Sequence, residues 1–229
     1  MRHLLLGAAG AIAMTGAAQA SVVDLGGFGN GETFDTGDVA GLTVTTTADG
    51  GGAANDFAIV IDTSNATGDP DLAQPFDDPT TIPVEIFDPG NVLAIAESGC
   101  GGGFCNVDDN ASGGTMTWLF NRDVAFNSFD VFDLASLELT IQLFDEFDNL
   151  VFSAMVPTPN TDTGDNALPN LFTSIVVGGV VFRRAVFDFD GSGAIGTFDI
   201  QEVPIPAALP LLLSGLAGLG FASRRRKRT

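Results

Sequence analysis

Short stretches in which apolar and polar residues alternate dominate the middle of this sequence. Residues 42–48 read Leu-Thr-Val-Thr-Thr-Thr-Ala, and residues 137–144 place Leu or Ile at every second position. Because successive side chains of a strand point to opposite faces, this period predicts strands with one buried face. No long stretch repeats with the 3.6-residue period of an amphipathic helix. The chain is therefore expected to fold mainly as β-sheet.

Further stretches have the composition of strands, and clusters of Gly, Asp and Pro separate them. Such clusters favour turns because Gly tolerates positive φ and Asp hydrogen-bonds the nearby backbone. About ten short strands joined by turns predict an antiparallel β-sandwich or jelly roll, since a parallel sheet needs helices between its strands. The further strands are expected at residues 57–61, 92–96, 115–120, 126–132, 150–156, 172–177, 180–189 and 194–200.

The N-terminus has the pattern of a secretory signal peptide. A short positive start at Met1–His3 precedes an apolar run from Leu4 to Met14, and Ala18-Gln-Ala20 offers the small residues that a signal peptidase accepts. We expect residues 1–20 to be removed. The alternative is a buried N-terminal helix.

The C-terminus has three parts, which are a Pro-containing motif at 203–207, an apolar run at 208–222 and a basic cluster at 224–228. The apolar run is shorter than the roughly 20 residues of a relaxed membrane span. The basic cluster should stay on the cytoplasmic side, which leaves residues 21–202 outside that membrane. We expect a sorting signal over residues 203–229, with a permanent single-span anchor as the alternative.

This tail resembles the PEP-CTERM class of bacterial sorting signals, in its Val-Pro-Leu-Pro-Ala variant. The resemblance implies export across the inner membrane of a Gram-negative bacterium, transient anchoring through the C-terminal helix, and processing by an exosortase, a membrane cysteine transpeptidase. The protein would end at the cell surface or outside the cell. The matching motif is Val203, Pro204, Ile205, Pro206 and Ala207.

The middle of the chain contains four landmarks, at residues 68–72, 90–97, 108–114 followed by 115–120, and 191–195. In these landmarks it resembles jelly-roll modules of other PEP-CTERM proteins, which usually have no assigned activity. This resemblance implies the same β-fold that the alternation predicts.

Charge excludes several classes of function. Residues 21–203 hold 3 Arg against all 29 Asp and Glu, so the net charge there is −26, and they contain no Lys and no His. Nucleic-acid binding is excluded because it depends on Lys and Arg neutralising phosphates.

The absence of His and Lys excludes Ser-His-Asp, Cys-His and Schiff-base catalysis. A carboxylate pair, as in glycoside hydrolysis, is the remaining enzymatic option, with Glu85, Glu97 and Glu138 as candidates.

Two cysteines, Cys100 and Cys105, bracket a glycine-rich loop. Thiols of exported proteins are normally oxidised, so a disulfide between them is expected. A zinc site is not expected, because it would want four Cys or His ligands.

Calcium is the cofactor that the acidic loops suggest. Residues 188–199 follow an EF-hand loop at several positions, with Asp188, Asp190 and Asp199 as oxygen donors. The flanking residues look like strands, so a β-hairpin that turns at 191–193 is the competing interpretation. Asp69, Asp71, Asp108 and Asp109 form further oxygen clusters, for which Asx turns and a solvated acidic surface are the alternative.

Carbohydrate platforms are usually exposed Trp or Tyr, whose aromatic face packs on a sugar while a polar edge stays wet. This chain has no Tyr and one Trp, and the alternation around Trp118 predicts that it packs in the core. The sequence thus indicates an exported, non-catalytic β-sandwich of structural, adhesive or extracellular-matrix type. The alternatives are a calcium-dependent module that binds extracellular polysaccharide and, third, a carboxylate glycosidase.

Overall fold

The fold is that of a computed structural model. It describes residues 20–23, 25–35, 41–49, 56–65, 72, 76–77, 86–87, 89–97, 99, 103, 105–132, 134, 139–156 and 172–203. The chain divides into two compact units, residues 20–202 and the two chain ends, 1–19 with 203–229. Apart from Val203, the second unit lies outside the described residues, and so do the helices expected at both ends. Within the described part of the chain, no helix has the length and apolarity of a membrane span.

The described residues form eleven strands and one short 3₁₀ helix, Thr63–Asn65. All pairings are antiparallel, which confirms the all-β, antiparallel prediction. The strands are β1 Ala20–Val23, β2 Leu42–Ala48, β3 Ala58–Asp62, β4 Phe76–Asp77, β5 Ile86–Phe87, β6 Asn91–Ile95, β7 Gly114–Phe132, β8 Leu139–Phe144, β9 Leu150–Val156, β10 Phe172–Phe189 and β11 Ala194–Glu202.

Nine of these strands belong to one sheet, in the order β3-β6-β11-β7-β10-β8-β9, with β1 beside β11 and β2 beside β7. Strands β4 and β5 pair separately. The alternation seen in the sequence sets the buried face. In β8, Leu139, Ile141 and Leu143 are buried and the residues between them are partly exposed.

Two long strands, β7 and β10, pair along most of their length and run through both halves of the sheet. The first half contains residues 114–120 of β7, which lie beside β2, and residues 184–189 of β10. The second half contains residues 124–132 of β7, which lie beside β11, and residues 172–182 of β10. The sequence predicted two strands in place of each long strand, and that prediction was wrong. Both strands continue because register shifts at 176–180 and 182–184 of β10 let the ladder bend without ending it.

The two halves pack on each other through aromatic side chains. Trp118 of the first half lies 4.2 Å from Phe198 of the second, and Phe129 of the second half lies 5.9 Å from Phe187 of the first, measured between ring centroids. Both pairs meet edge to face, a geometry that adds about 0.5–1.5 kcal/mol to simple burial. Trp118 is fully buried, which confirms its predicted place in the core.

Strand β3 is buried on both faces. Ala58 and Val60 point into the main core, while Ile59 and Ile61 belong to a second apolar cluster with Leu72. Double burial explains why residues 58–61 are continuously apolar instead of alternating.

The connection from β10 to β11 is not the predicted β-hairpin. The two strands lie on opposite sides of β7 and are not neighbours in the sheet. Phe189 is opposite Gly114 and Ala194 is opposite Phe132, so residues 190–193 cross from one half of the sheet to the other. The turn glycines suit this crossing as well as a hairpin, which is why sequence could not separate the two.

Candidate functional site

The turn between β8 and β9, residues 145–149, is held in one conformation by its own hydrogen bonds. The Asp145 carboxylate accepts hydrogen bonds from the backbone N–H groups of Phe147 (2.9 Å) and Asn149 (2.8 Å), and from the Asn149 side-chain amide at 2.9 Å. Backbone bonds also join Asp145 N–H to the Asn149 carbonyl (3.0 Å) and Asp148 N–H to the Asp145 carbonyl (3.1 Å). Asp148 has φ 66°, a left-handed conformation that Asp tolerates better than most residues.

These hydrogen bonds shift the ionisation of Asp145. The Asn149 side-chain amide contributes most, followed by the Asn149 backbone N–H, and together with the Phe147 N–H they hold the pKa of Asp145 below its usual range. All three donors favour the charged carboxylate. The turn is therefore built around an ionised Asp145.

Phe147 stands at the tip of this turn with 75% of its surface exposed. Other Phe side chains of the strands, such as Phe126, Phe182 and Phe187, are buried in the core. A rigid turn that carries an exposed aromatic ring presents an apolar surface with little conformational entropy to lose on binding.

A cavity of about 190 Å³ opens beside Phe147 where β7 and β10 bend. It is smaller than the roughly 300–1,000 Å³ of typical ligand pockets, so it suits one small ring or a few functional groups at its mouth. We call this region the corner site. Its lining residues are Asp123, Asp145, Glu146, Phe147, Val181 and Phe182.

Arg183 connects two walls of the corner site. Its guanidinium contacts the Asp123 carboxylate at 2.9 Å and the Glu146 carboxylate at 3.5 Å. Three carboxylates line the site, and the Arg183 guanidinium contacts two of them.

The next residue, Arg184, also contacts the turn. Its guanidinium carbon lies 3.7 Å from the centroid of the Phe144 ring, and its Nη2 contacts the Asp148 carboxylate at 2.7 Å. Arg183 lies in the register shift between Phe182 and Arg184, and the two arginines contact Glu146 and Asp148 of the same turn.

Of the residues predicted from sequence, the structure brings Asp109 to the turn that follows Asp190. The buried Asp109 carboxylate accepts hydrogen bonds from the Ser192 hydroxyl (2.7 Å) and the Gly193 N–H (2.5 Å). Asp188 instead accepts a hydrogen bond from the Thr115 hydroxyl at 3.0 Å. Through these two hydrogen bonds, Asp109 stabilises residues 190–193, which connect the two halves of the sheet.

The remaining predicted ligands are not gathered with these. Asp108 is partly buried before Asp109, and Asp190 is exposed. Among the described side chains, no group of three or more His, Cys, Asp or Glu could hold a metal ion. Asp69 and Asp71 lie outside the described residues, as does the side chain of Asp199 in β11. Calcium binding stays a prediction.

Cys105 takes part in a disulfide. Its predicted partner, Cys100, lies outside the described residues, and so do Glu85, Glu138 and the sorting motif after Val203. Glu97 is exposed. The Cys105 backbone N–H donates to the Gly31 carbonyl at 2.8 Å, which ties its segment to the chain before β2.

The corner site was not predicted from the sequence. The signal that could have found the turn is the spacing of Asp145 and Asn149 around Glu-Phe-Asp, since Asp and Asn at such positions hydrogen-bond the local backbone. The contribution of Asp123 and Arg183 has no local signal, because β7 and β10 bring these residues together across 60 positions.

No protein-family model and no curated protein matches this chain. Among solved structures, a Streptococcus pneumoniae fucose-binding module aligns with 10% identity and a TM-score of 0.27, covering 42% of this chain and 69% of that one. The lectin domain of lectinolysin in complex with Lewis B antigen aligns with 6% identity and a TM-score of 0.27, covering 42% and 70%. The enzymatically active domain of bacteriophage CBA120 tailspike protein 4 aligns with 14% identity and a TM-score of 0.26, covering 76% and 20%. The fold assignment therefore rests on the chain's own strand order.

Proposed function

We propose that the exported part of this chain is a non-catalytic module that binds neutral carbohydrate at the corner site. The observation that carries this proposal is the exposed Phe147 on a turn fixed by its own hydrogen bonds, beside a cavity lined by carboxylates. An aromatic ring packs on the C–H face of a sugar, and nearby carboxylates accept hydrogen bonds from its hydroxyl groups.

The choice of a neutral ligand follows from charge. Three carboxylates line the corner site, against Arg183, and the region 21–203 carries a net charge of −26. Anionic polysaccharides would be repelled at close range, whereas neutral hydroxyl-rich chains would not. The absence of catalysis is proposed because residues 21–203 lack the His and Lys of most catalytic sites, and Glu97, the described candidate for a carboxylate pair, does not line the corner site.

Replacement of Phe147 by Ala tests this proposal. Glycan-array and calorimetric binding are compared for the full chain, the Phe147→Ala variant and a Val176→Ala control, in which an equally exposed apolar residue outside the corner site is shortened. We expect Phe147→Ala to weaken binding about tenfold, the equivalent of about 1.4 kcal/mol, and the control to bind normally. An exposed side chain contributes little to folding, so both variants should melt like the parent.

Three results would contradict the proposal. If the full chain binds no neutral glycan, the structural or matrix role remains as the function. If Phe147→Ala binds as well as the parent, carbohydrate binds elsewhere on the domain. Release of reducing ends from a bound glycan would instead support the carboxylate glycosidase.

Calcium dependence of this binding is a further proposal, supported only by the Asp-rich loops of the sequence, Asp69–Asp71 and Asp188–Asp199. An ion present at 100 times its dissociation constant stabilises the folded state by about 2.7 kcal/mol. Thermal melting with Ca²⁺ and then with chelator, at matched ionic strength, checks this. A shift with Ca²⁺ that Mg²⁺ does not reproduce is expected; equal melting in both would contradict it.

The export route is proposed from the two chain ends. Signal peptidase would remove residues 1–20, and an exosortase-like enzyme would cut near Val203–Ala207 and release the domain to the cell surface or the medium. Mass spectrometry of the mature protein is expected to find a C-terminus within 203–207. Recovery of an intact Arg-rich tail from the membrane would favour the permanent anchor.

A further inference from the structure

Sheet edges expose unpaired backbone N–H and C=O groups, which can pair with another chain unless they are covered or distorted. The free side of β3 is covered. Gly31 N–H donates to the Val60 carbonyl, Val60 N–H to the Glu32 carbonyl and Phe34 N–H to the Ala58 carbonyl, each at 2.8 Å.

The N-terminal part of β10 is protected in another way. Gly178 and Gly179 have φ of 78° and 76°, and the register with β7 shifts between Val176 and Val180. This glycine bulge interrupts the regular spacing of backbone groups that a further strand would need.

Within the residues that the structure describes, strand β9 has neither protection. Among the described strands it pairs with β8 alone, and its sequence, Leu-Val-Phe-Ser-Ala-Met-Val, contains no charge, Pro or Gly. Its register shift falls at Val151, near the hairpin end, and Phe152–Val156 pair regularly with β8. Met155, on the outer face, is 60% exposed, and Val151, in the register shift, is 42% exposed. An uncharged strand with exposed apolar side chains is unusual in a chain with 29 carboxylates.

We propose that β9 pairs with β9 of a second copy of this chain, antiparallel about a two-fold axis at Ser153, so that one sheet continues through both copies. Around that axis Phe152 lies opposite Ala154 of the second copy, and Met155 comes beside its Val151. The two exposed apolar residues of the strand thereby cover each other. Such an isologous contact is closed and stops at a dimer.

Charge favours the same arrangement. The acidic turn 145–148 lies at one end of β9, and antiparallel pairing places the two turns at opposite ends of the interface. Seven residues at about 3.4 Å each separate them by about 24 Å, well beyond the Debye length of about 8 Å at physiological ionic strength. The uncharged strand is therefore a place where two acidic copies meet with little repulsion.

A cysteine at the axis tests the pairing in the full chain. In the Ser153→Cys variant the two introduced thiols lie directly opposite each other, about 4.5–5.5 Å apart between Cα atoms, which a disulfide spans. The matched control is Val151→Cys in the same strand. Its thiol lies four residues from its copy, about 14 Å away, and cannot form the bond without movement of the backbone.

Mild oxidation followed by non-reducing denaturing electrophoresis is expected to show a covalent dimer for Ser153→Cys and little for Val151→Cys. Adding Met155→Asp to the Ser153→Cys chain should reduce the dimer about fivefold, because it removes the apolar pairs and places new charges beside the interface. No dimer for Ser153→Cys, or equal dimer for both cysteine variants, would overturn the proposal. Either result would mean that another segment covers β9 or that contact is random.

Discussion

Replacement of Asp109 by Ala should show how strongly the two halves of the sheet depend on one buried carboxylate. Asp109 is 5% exposed, and its Oδ2 accepts hydrogen bonds from the Ser192 hydroxyl and the buried Gly193 N–H. A hydrogen bond to a charged group contributes about 1.5–3 kcal/mol. Ser192 is only partly buried, so its hydroxyl can turn to water, but the Gly193 N–H cannot. We expect Asp109→Ala to lower the free energy of unfolding by about 3 kcal/mol.

Urea unfolding of the full chain measures this loss, with the midpoint and the slope recorded separately. For a domain of this size, about 3 kcal/mol corresponds to a fall in melting temperature of about 6–12 °C. Asp109→Asn is the control, because an amide oxygen in the Oδ2 position accepts both hydrogen bonds without the charge. It should cost about 1 kcal/mol.

Two outcomes would refute this reasoning. A loss below about 1 kcal/mol for Asp109→Ala would mean that the crossing 190–193 holds itself without the carboxylate. Equal losses for the Ala and Asn variants would mean that the charge matters and not the acceptor, as expected for a ligand of a cation.

Two further predictions concern the backbone and pH. An added Cβ at Gly113 would lie against the Phe189 carbonyl oxygen, so Gly113→Ala should lower the free energy of unfolding by about 3 kcal/mol. Gly178 has φ 78° and open space around it, so Gly178→Ala should lower it by about 1 kcal/mol. Similar losses for the two variants in urea titration would contradict this prediction. Burial raises the pKa of Asp130, against the smaller effect of its hydrogen bond with Ser174, so its charged form destabilises the fold. Asp130→Asn should therefore raise the free energy of unfolding at pH 7, measured by urea titration. This gain should vanish as the pH falls below the ordinary Asp pKa, about 3.9. A gain that is independent of pH would contradict the prediction.

The amino-acid pattern predicted the fold class because alternation and burial are local properties. Residues 42–48 and 139–144 form the expected strands with the expected faces. The pattern failed at 121–125 and 178–179, where polar residues or glycines suggested that a strand ends. In the folded chain these positions bend strands that stay paired, and pairing depends on partners distant in sequence.

The corner site shows the same limit more sharply. A single Phe among 19 has no sequence mark that separates an exposed ring from a buried one. The exposure of Phe147 follows from the hydrogen bonds of Asp145, and its surroundings follow from the bends of β7 and β10. The predicted acidic clusters, by contrast, were chosen from loops, and Asp109 proved to bind the backbone of another loop.

The two long strands also determine how this domain comes apart. Because β7 and β10 each run through both halves of the sheet, neither half can lose its strands while the other keeps them. Unfolding should consequently be a single cooperative transition. Assembly is slowed because strand partners are distant in sequence. Ala94 pairs with Ala194, and Thr45 pairs with Thr117, about 100 and about 70 positions apart. Such non-local pairing is typical of proteins that fold in milliseconds to seconds, so slow refolding should accompany the sharp transition.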